Sequence, residues 1–222
     1  MNTTIKSTAI AMAVAGLFAA QPAVADSLTF NGFSNGYISA SITSPISLWA
    51  GAGGFSMTNT TPSPDVSFQA WCVDIFHTLT SPSSYTLQSA STFYSADPGK
   101  ATALSHLASN YLSSVANATT SGAFQLAVWE IVNEASGGSY SLGAGNFRAT
   151  SGNTAAVTTA NTWLNNLSGP VTMTASVWAT GSSQDLAVFA PVPEPGTYAM
   201  ILSGLGLMGF VARRRKQEQE YA

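Results

Sequence analysis

The stretch SGAFQLAVWEIVNEASGG, residues 121–138, has the composition of a buried helix interrupted by one amide side chain. Ser121 can cap its N-terminus, and the Gly-Gly pair at its end predicts that the helix stops near residue 135. Between these ends the residues are mostly apolar, and Gln125 lies one helical turn before Trp129. Because an amide withdrawn from water needs polar partners, we expect Gln125 to meet a specific group inside the fold.

A second apolar stretch, VSFQAWCVDIFHTL (residues 66–79), has hydrophobic residues on both faces, which is typical of a central strand covered on both sides. Around it, period-two alternation broken by Asn-Gly and Gly-Gly predicts strands between Ser27 and Leu87. Helical spacing then predicts a helix capped by Asp97, the helix of residues 121–135, and a third helix from Thr154 to Leu167. Strands return at 171–179 and 184–192. This order predicts an α+β fold, a β-rich domain with a helical insertion.

The two ends of the chain predict export. Lys6 precedes a short apolar run and a small-x-small site ending at Ala25, so residues 1–25 are typical of a cleavable signal peptide. Residues 26–190 are then one extracytoplasmic domain, and 191–197 a Pro-rich linker. The apolar segment 198–212 predicts a single C-terminal transmembrane sorting helix, and 213–222 a basic tail held in the cytoplasm. That helix reaches only about 22 Å, short of a hydrocarbon core of roughly 30 Å, which favours temporary anchoring.

These C-terminal parts resemble the PEP-CTERM sorting signal of Gram-negative bacteria. The resemblance depends on a Pro-Glu-Pro motif, an apolar helix and an arginine cluster, here Pro193, Glu194, Pro195, Arg213, Arg214 and Arg215. It implies recognition by an exosortase, a membrane protease-transpeptidase, after transient residence in the inner membrane. The processed protein would then reach the cell surface or an extracellular polysaccharide matrix.

Charge excludes several classes of partner for the domain of residues 26–190. Acidic residues outnumber the basic ones, which are only Lys100 and Arg148, so the domain has no electrostatic footprint for nucleic acid or anionic lipid. Two histidines and scattered acids show no metal-ligand spacing, and no cofactor is predicted. The single cysteine, Cys72, is unusual in an exported chain and indicates either a covalent use of its thiol or a small buried hydrophobe.

Two short motifs resemble the Cys-Gln thioester domains of bacterial surface adhesins. That family pairs an aromatic-Cys-hydrophobic-Asp strand motif with a Gln-x-Ala-x-Trp helix motif, and WCVD (71–74) and QLAVW (125–129) match both in order. The resemblance implies an internal thioester between Cys72 and Gln125, supported by Asp74 and Trp129. A protein amine or a glycan hydroxyl would then attack it. The attachment is stoichiometric, so the chain is not predicted to be an enzyme. The residue before the glutamine, often Thr in the family, is Phe124 here.

The candidates for proton transfer at this site are Asp74 and His77, since a positioned acid–base group accelerates attack on an acyl group. The predicted strand, however, places His77 on the face opposite Cys72.

Two alternatives remain open. One is a non-covalent carbohydrate- or matrix-binding structural surface protein, in which an exposed tryptophan stacks on sugar rings; the candidates are Trp49, Trp163 and Trp178. The other is a cysteine hydrolase with Cys72, His106 and Asn133 as a triad, although no local signature surrounds the cysteine.

Overall fold

Two antiparallel β-sheets and one buried helix between them organise residues 25–192, which the computed structural model describes together with residues 200–208. The elements follow in the order β1 (Asp26–Phe33), β2 (Ile38–Ser44), β3 (Leu48–Ala52), β4 (Phe55–Asn59), β5 (Val66–Cys72), β6 (Ser83–Ser89), α1 (Ala90–Phe93), α2 (Gly99–Tyr111), a 3₁₀ turn (Leu112–Ser114), α3 (Ala118–Asn133), β7 (Arg148–Ser151), α4 (Thr154–Leu164), β8 (Met173–Ala179) and β9 (Leu186–Pro191). The predicted β-rich fold with a helical insertion is confirmed at this level.

The larger sheet closes into a barrel with the strand order β1-β4-β5-β9-β8-β6, and the smaller sheet has the order β3-β2-β7. All strand pairs are antiparallel. The Asn-Gly signal inside β1 marks a bulge, because the register with β4 shifts between Phe30 and Phe33. Gly32 there has φ +111°, a conformation that side chains other than glycine rarely adopt.

Helix α3 fills the space between the two sheets. Every residue from Ser121 to Val132 is buried, and the helix contacts β5 of the barrel as well as β2 and β3 of the smaller sheet. Gly122 allows the close approach, because a Cβ atom added there would overlap the side chain of Ile38 on β2. Burial on all sides explains why this helix is apolar on all sides.

The predicted start of α3 was wrong. The cap is Asn117, whose side chain accepts a hydrogen bond from the Thr120 backbone N–H while Thr120 Oγ1 accepts one from the Asn117 N–H. Ser121 is instead fully buried, and its hydroxyl accepts a hydrogen bond from the Gly54 N–H at 2.9 Å. A serine hydroxyl can cap a helix or accept a hydrogen bond from a neighbouring segment. The position of Gly54 beside α3 gives Ser121 the second role.

Two further boundaries differ from prediction. Asp97 does not cap α2, which begins at Gly99; its carboxylate accepts hydrogen bonds from the backbone N–H and the hydroxyl of Ser136, just beyond α3. Helix α4 begins at Thr154 as predicted but ends at Leu164 instead of Leu167. Strand β7 was not predicted, since four residues are too few to show alternation.

The C-terminal predictions fall largely outside the described residues. Residues 200–208 are helical, and within 25–192 and 200–208 no helix is both long and apolar enough to cross a membrane. The predicted span of 198–212 lies only partly in these ranges. The Pro-Glu-Pro motif, the arginine cluster and residues 1–24 of the signal peptide lie outside them.

Candidate functional site

The side-chain amide of Gln125 is paired with the backbone of Cys72. The Cys72 N–H donates to Gln125 Oε1 at 3.1 Å, and Gln125 Nε2 donates to the Cys72 carbonyl oxygen at 2.7 Å. Both residues are buried, with exposed fractions of 1% for Cys72 and 0% for Gln125. The structure therefore brings together the two residues that the sequence motifs single out. Both the oxygen and the nitrogen of the Gln125 side-chain amide have a hydrogen-bond partner.

The pairing occurs where one strand of the barrel runs out. Strand β4 begins at Phe55, which pairs with Ala70 on β5, so Cys72 at the end of β5 has no β4 residue beside it. On its other edge Cys72 pairs with Leu186 of β9. The Gln125 amide takes the place of the missing strand neighbour, and it thereby satisfies backbone groups that would otherwise be buried without partners.

Strand β5 ends at Cys72 because Asp74 turns the chain. Its Oδ1 accepts hydrogen bonds from the N–H groups of Phe76 at 2.8 Å and His77 at 3.3 Å, a side-chain-to-backbone turn that competes with strand extension. The Asp74 carbonyl oxygen accepts the hydrogen bond of the Cys72 thiol at 3.0 Å. Asp74 thus positions the thiol through its backbone.

The prediction that this strand continues to Leu79 was wrong, because β5 ends at Cys72. His77 therefore does not lie on the strand, and strand parity does not give its position relative to Cys72. His77 Nδ1 lies 2.6 Å from Asp74 Oδ2, and the imidazole is exposed to solvent. The Asp74–His77 pair therefore extends from the turn that follows Cys72 to the protein surface.

The Cys72 thiol is held in its protonated form. Burial raises its pKa to about 12, and the negative charges of Asp74 and Asp185 act in the same direction. The Trp129 indole and the Asp74 backbone hydrogen bond lower the pKa but do not offset burial. Because the thiolate is the nucleophilic form, this thiol should react slowly with reagents in bulk solvent, and its reactivity depends on groups within the site.

Trp129 projects from α3 one turn after Gln125, on the same face. Its ring is buried, and within the described part of the chain its Nε1–H has no acceptor in hydrogen-bonding geometry. The indole nevertheless lies near enough to the thiol to lower the pKa of Cys72. A buried donor without an acceptor can stabilise negative charge that develops beside it.

Three residues that the sequence analysis did not single out surround this site. The Asp185 carbonyl oxygen accepts the N–H of Val73 at 3.0 Å, and burial raises the pKa of the Asp185 carboxyl. Tyr94 has a buried hydroxyl without a partner among the described residues; burial, followed by the charges of Asp185 and Cys72, raises its pKa. Tyr85 donates to Ser183 Oγ at 3.1 Å. No local motif marks these residues, because only the barrel closure brings them to Cys72.

This geometry is suited to acyl chemistry at the Gln125 amide. The Cys72 N–H already points at Oε1, where negative charge would collect if a nucleophile attacked the carboxamide carbon. The site is closed to solvent, since Cys72, Gln125 and Trp129 are all buried. Shielding of this kind keeps water from a reactive acyl group.

The residues of the alternative hydrolase are not assembled. The Asn133 side chain donates to the carbonyl oxygen of Trp129 within α3. His106 lies on α2, and its buried Nδ1 has no partner among the described residues. Among the described residues no hydrogen bond joins His106 or Asn133 to the thiol, whose own hydrogen bond goes to the Asp74 carbonyl oxygen. Within the same ranges no group of three or more His, Cys, Asp or Glu side chains is placed to hold a metal ion.

The three candidate tryptophans for sugar stacking separate by exposure. Trp163 and Trp178 are each 8% exposed and belong to the core, whereas Trp49 is 72% exposed. Only Trp49 can therefore offer a ring face to a ligand in solution.

Comparison with known proteins identifies the C-terminal segment. A sequence profile of the PEP-CTERM protein-sorting motif matches residues 191–216. The chain carries a PEP-CTERM sorting motif. This motif implies export, anchoring in the membrane during sorting, and processing by an exosortase.

The chain of this PEP-CTERM protein also has a remote structural likeness. Among solved structures it is similar to a cysteine-to-alanine mutant of the N-terminal thioester domain of a surface protein from Clostridium perfringens. The identity is 14% and the TM-score 0.42, over 62% of this chain and 89% of the other. A likeness this remote does not bear on function. Comparison with curated proteins gave no match.

Proposed function

We propose that this PEP-CTERM protein is a covalent attachment protein whose body forms an internal thioester between Cys72 and Gln125. The observation that supports the proposal is the pairing of the Gln125 amide with the Cys72 backbone in a site closed to water. A purely structural glutamine would also satisfy the strand edge. The orphaned indole N–H of Trp129 beside the thiol favours the chemical role.

The bond forms by displacement of ammonia. Cys72 Sγ attacks the Gln125 side-chain carbonyl carbon, a carbon–sulfur bond replaces the carbon–nitrogen bond, and the amide nitrogen leaves as ammonia with the thiol proton. The Cys72 N–H stabilises the oxyanion of the tetrahedral intermediate. The buried thiol, with its pKa near 12, gives up its proton as the nitrogen accepts it, so no free thiolate accumulates.

Attachment consumes the thioester. A primary amine of another protein attacks the same carbonyl carbon, an amide bond forms, the carbon–sulfur bond breaks, and the proton released from the amine returns to Cys72. A glycan hydroxyl would give an ester by the same steps. Trp129 stabilises the departing sulfur, and once the sulfur has regained its proton the Asp74 carbonyl oxygen accepts the hydrogen bond of the thiol. Each molecule reacts once, which is why we do not propose an enzyme.

The sorting motif determines where attachment takes place. We propose cleavage of residues 1–25, insertion of the 198–212 segment in the inner membrane, and recognition of Pro193, Glu194 and Pro195 by the exosortase. The domain of residues 26–190 would then act at the cell surface or in the extracellular matrix, where its partner is a surface protein or a polysaccharide.

Capture of a labelled amine tests the proposal. The full-length protein, exported and purified in detergent without reductant, is incubated with biotin-cadaverine, an alkylamine that resembles a lysine side chain. We expect labelling at the Gln125 side chain, located by peptide mapping, and none in Cys72→Ala or Gln125→Ala. Labelling that persists in Cys72→Ala, or none in the wild-type protein, would overturn the proposal.

A further inference from the structure

The smaller sheet has one covered face and one open face. On β2 the alternate residues Ile38, Ala40 and Ile42 are buried toward α3, whereas Ser39 and Thr43 are exposed. We call the open side the outer face and define it by Ser39, Ser41, Trp49, Gly51, Arg148 and Thr150. No other element of the described chain is paired with β3 or β7 beyond β2.

Register places three of these side chains in one row. Ser41 pairs with Trp49 on β3 and with Thr150 on β7. The row crosses two strand spacings, so its ends are about 10 Å apart. Arg148 lies two residues from Thr150 and is also exposed, which places its guanidinium on the same face.

An aromatic platform occupies one side of the outer face. Trp49 is 72% and Tyr37 55% exposed. A Cβ atom added to Gly51 would lie 3.0 Å from Phe33 Cζ and 3.2 Å from Tyr37 Cδ2, so these rings lie over the glycine, next to Trp49 along β3. Phe33 and Tyr37 stack with centroids 4.5 Å apart. Glycine at position 51 is what lets the aromatic surface lie against the sheet.

Charge distinguishes the outer face from the rest of the described chain. Within residues 25–192 and 200–208 the basic residues are Lys100 and Arg148. Lys100 Nζ donates to the Val132 carbonyl oxygen at 2.8 Å, whereas no ion pair involves Arg148 in the same ranges. None of the six residues of the outer face is acidic. The cation of this acidic body that has no ion-pair partner among the described residues therefore lies on the same sheet face as the most exposed tryptophan, two strands away.

We propose that the outer face is a binding site for an acidic polysaccharide. Trp49 and Tyr37 stack on sugar rings, the hydroxyls of the row bind sugar hydroxyls, and Arg148 pairs with a uronic acid carboxylate. Nucleic acid would also use stacking and cations, but a backbone with one phosphate per nucleotide needs several cations along its path. One arginine in an acidic body favours a sparsely charged polymer. The site shares no residue with the Cys72–Gln125 pair and does not depend on thioester formation.

Affinity electrophoresis tests this site with the full-length protein in detergent. Native gels contain alginate esterified on most of its carboxyl groups, so that free uronic acid carboxylates are sparse, or dextran, a neutral polymer. We expect alginate to retard the wild-type protein more than dextran does. Trp49→Ala should weaken retardation by about tenfold, as expected for loss of an aromatic anchor. Arg148→Gln should weaken retardation by alginate alone, and added salt should remove that difference.

Leu87→Ala is the matched control, because Leu87 is an exposed apolar residue on β6 of the barrel, away from the outer face. It should be retarded like the wild-type protein, and a thermal melt of Trp49→Ala should match that of wild type. Equal retardation of wild type and Trp49→Ala in alginate would overturn the proposal. So would equal retardation in alginate and dextran, or a Trp49-dependent dimer in sedimentation velocity without polymer binding.

Discussion

The Gln125 amide stands in for a strand beside Cys72, with hydrogen bonds of 3.1 and 2.7 Å to the cysteine's own N–H and carbonyl oxygen. The same contact satisfies the end of β5 and holds the carboxamide next to the thiol-bearing residue. The same arrangement of Gln125 and Cys72 therefore suits both the pairing of the strand end and the formation of a thioester. Variants that keep the shape but change one group can separate the two roles.

Removing the Gln125 amide should destabilise the fold even without any thioester. Gln125→Ala leaves two buried backbone groups of Cys72 unpaired, each costing about 1–3 kcal/mol, and opens a cavity. Measured in a Cys72→Ala background, which cannot form the thioester, the free energy of unfolding should fall by about 3–5 kcal/mol in urea titrations. Gln125→Met keeps the volume but not the hydrogen bonds, and should recover part of this loss. If both variants had the free energy of unfolding of Cys72→Ala alone, the Gln125 amide would not be needed to pair the backbone at the end of β5.

Trp129 should tune the reactivity of the thiol. Trp129→Phe keeps a buried ring but removes the N–H, so the pKa of Cys72 should rise above its wild-type value of about 12. The measurement is the pH dependence of iodoacetamide alkylation of Cys72. Methylamine is added because it opens any thioester, so that the thiol is free in both the wild-type protein and the variant. We expect the alkylation rate to fall several-fold at a given pH. Trp163→Phe, which alters a comparably buried indole of α4, should leave the rate unchanged.

Glu130 should make stability depend on pH. Burial raises its pKa from 4.5 to about 7, the nearby charge of Glu134 adds to the rise, and the Ser141 N–H partly opposes it. The native state therefore binds the proton more tightly than the unfolded chain does. This contribution is complete below about pH 4.5 and is lost as the pH rises to about 7, where it levels off.

The test is the urea midpoint between pH 5.5 and 8, a window above the titration of Asp97, whose pKa the hydrogen bonds from Ser136 lower. We expect a loss on the order of 2 kcal/mol across it. Glu130→Gln mimics the protonated side chain and should flatten the curve. A curve that stays equally steep in Glu130→Gln would assign the dependence to another group.

Gly122 should be intolerant of a side chain. A Cβ atom there would overlap Ile38 of β2, so Gly122→Ala should move α3 away from the smaller sheet and cost about 1–3 kcal/mol in unfolding free energy. Gly138→Ala is the matched control, because the nearest atom to an added Cβ there is the Ala135 carbonyl oxygen at 3.6 Å. Equal stability of the two variants would contradict the close packing of α3.

Sequence periodicity predicted the element types well because burial acts on each element separately. The mostly apolar composition of residues 121–135 indicated a buried helix, and α3 is buried from Ser121 to Val132. The meeting of Cys72 with Gln125 was accessible only because two motifs could be read together. Neither residue alone carries enough signal to place it.

What escaped prediction depends on contacts between distant segments. Ser121 and Asp97 both have the chemistry of helix caps, but each bonds a group brought near by tertiary packing, the Gly54 N–H and Ser136 respectively. The end of β5 was missed because Asp74 competes for the backbone that the strand would use. Barrel closure and the position of Tyr94 near Cys72 have no local signature.

The most direct test of the central claim is the intact mass of the exported protein, purified without reductant and compared with its own Cys72→Ala variant. We expect wild type to be lighter than its calculated mass by one ammonia and to gain one equivalent of methylamine. The variant should have its full calculated mass with and without methylamine. A wild-type protein of full calculated mass that does not react with methylamine would contradict the central claim.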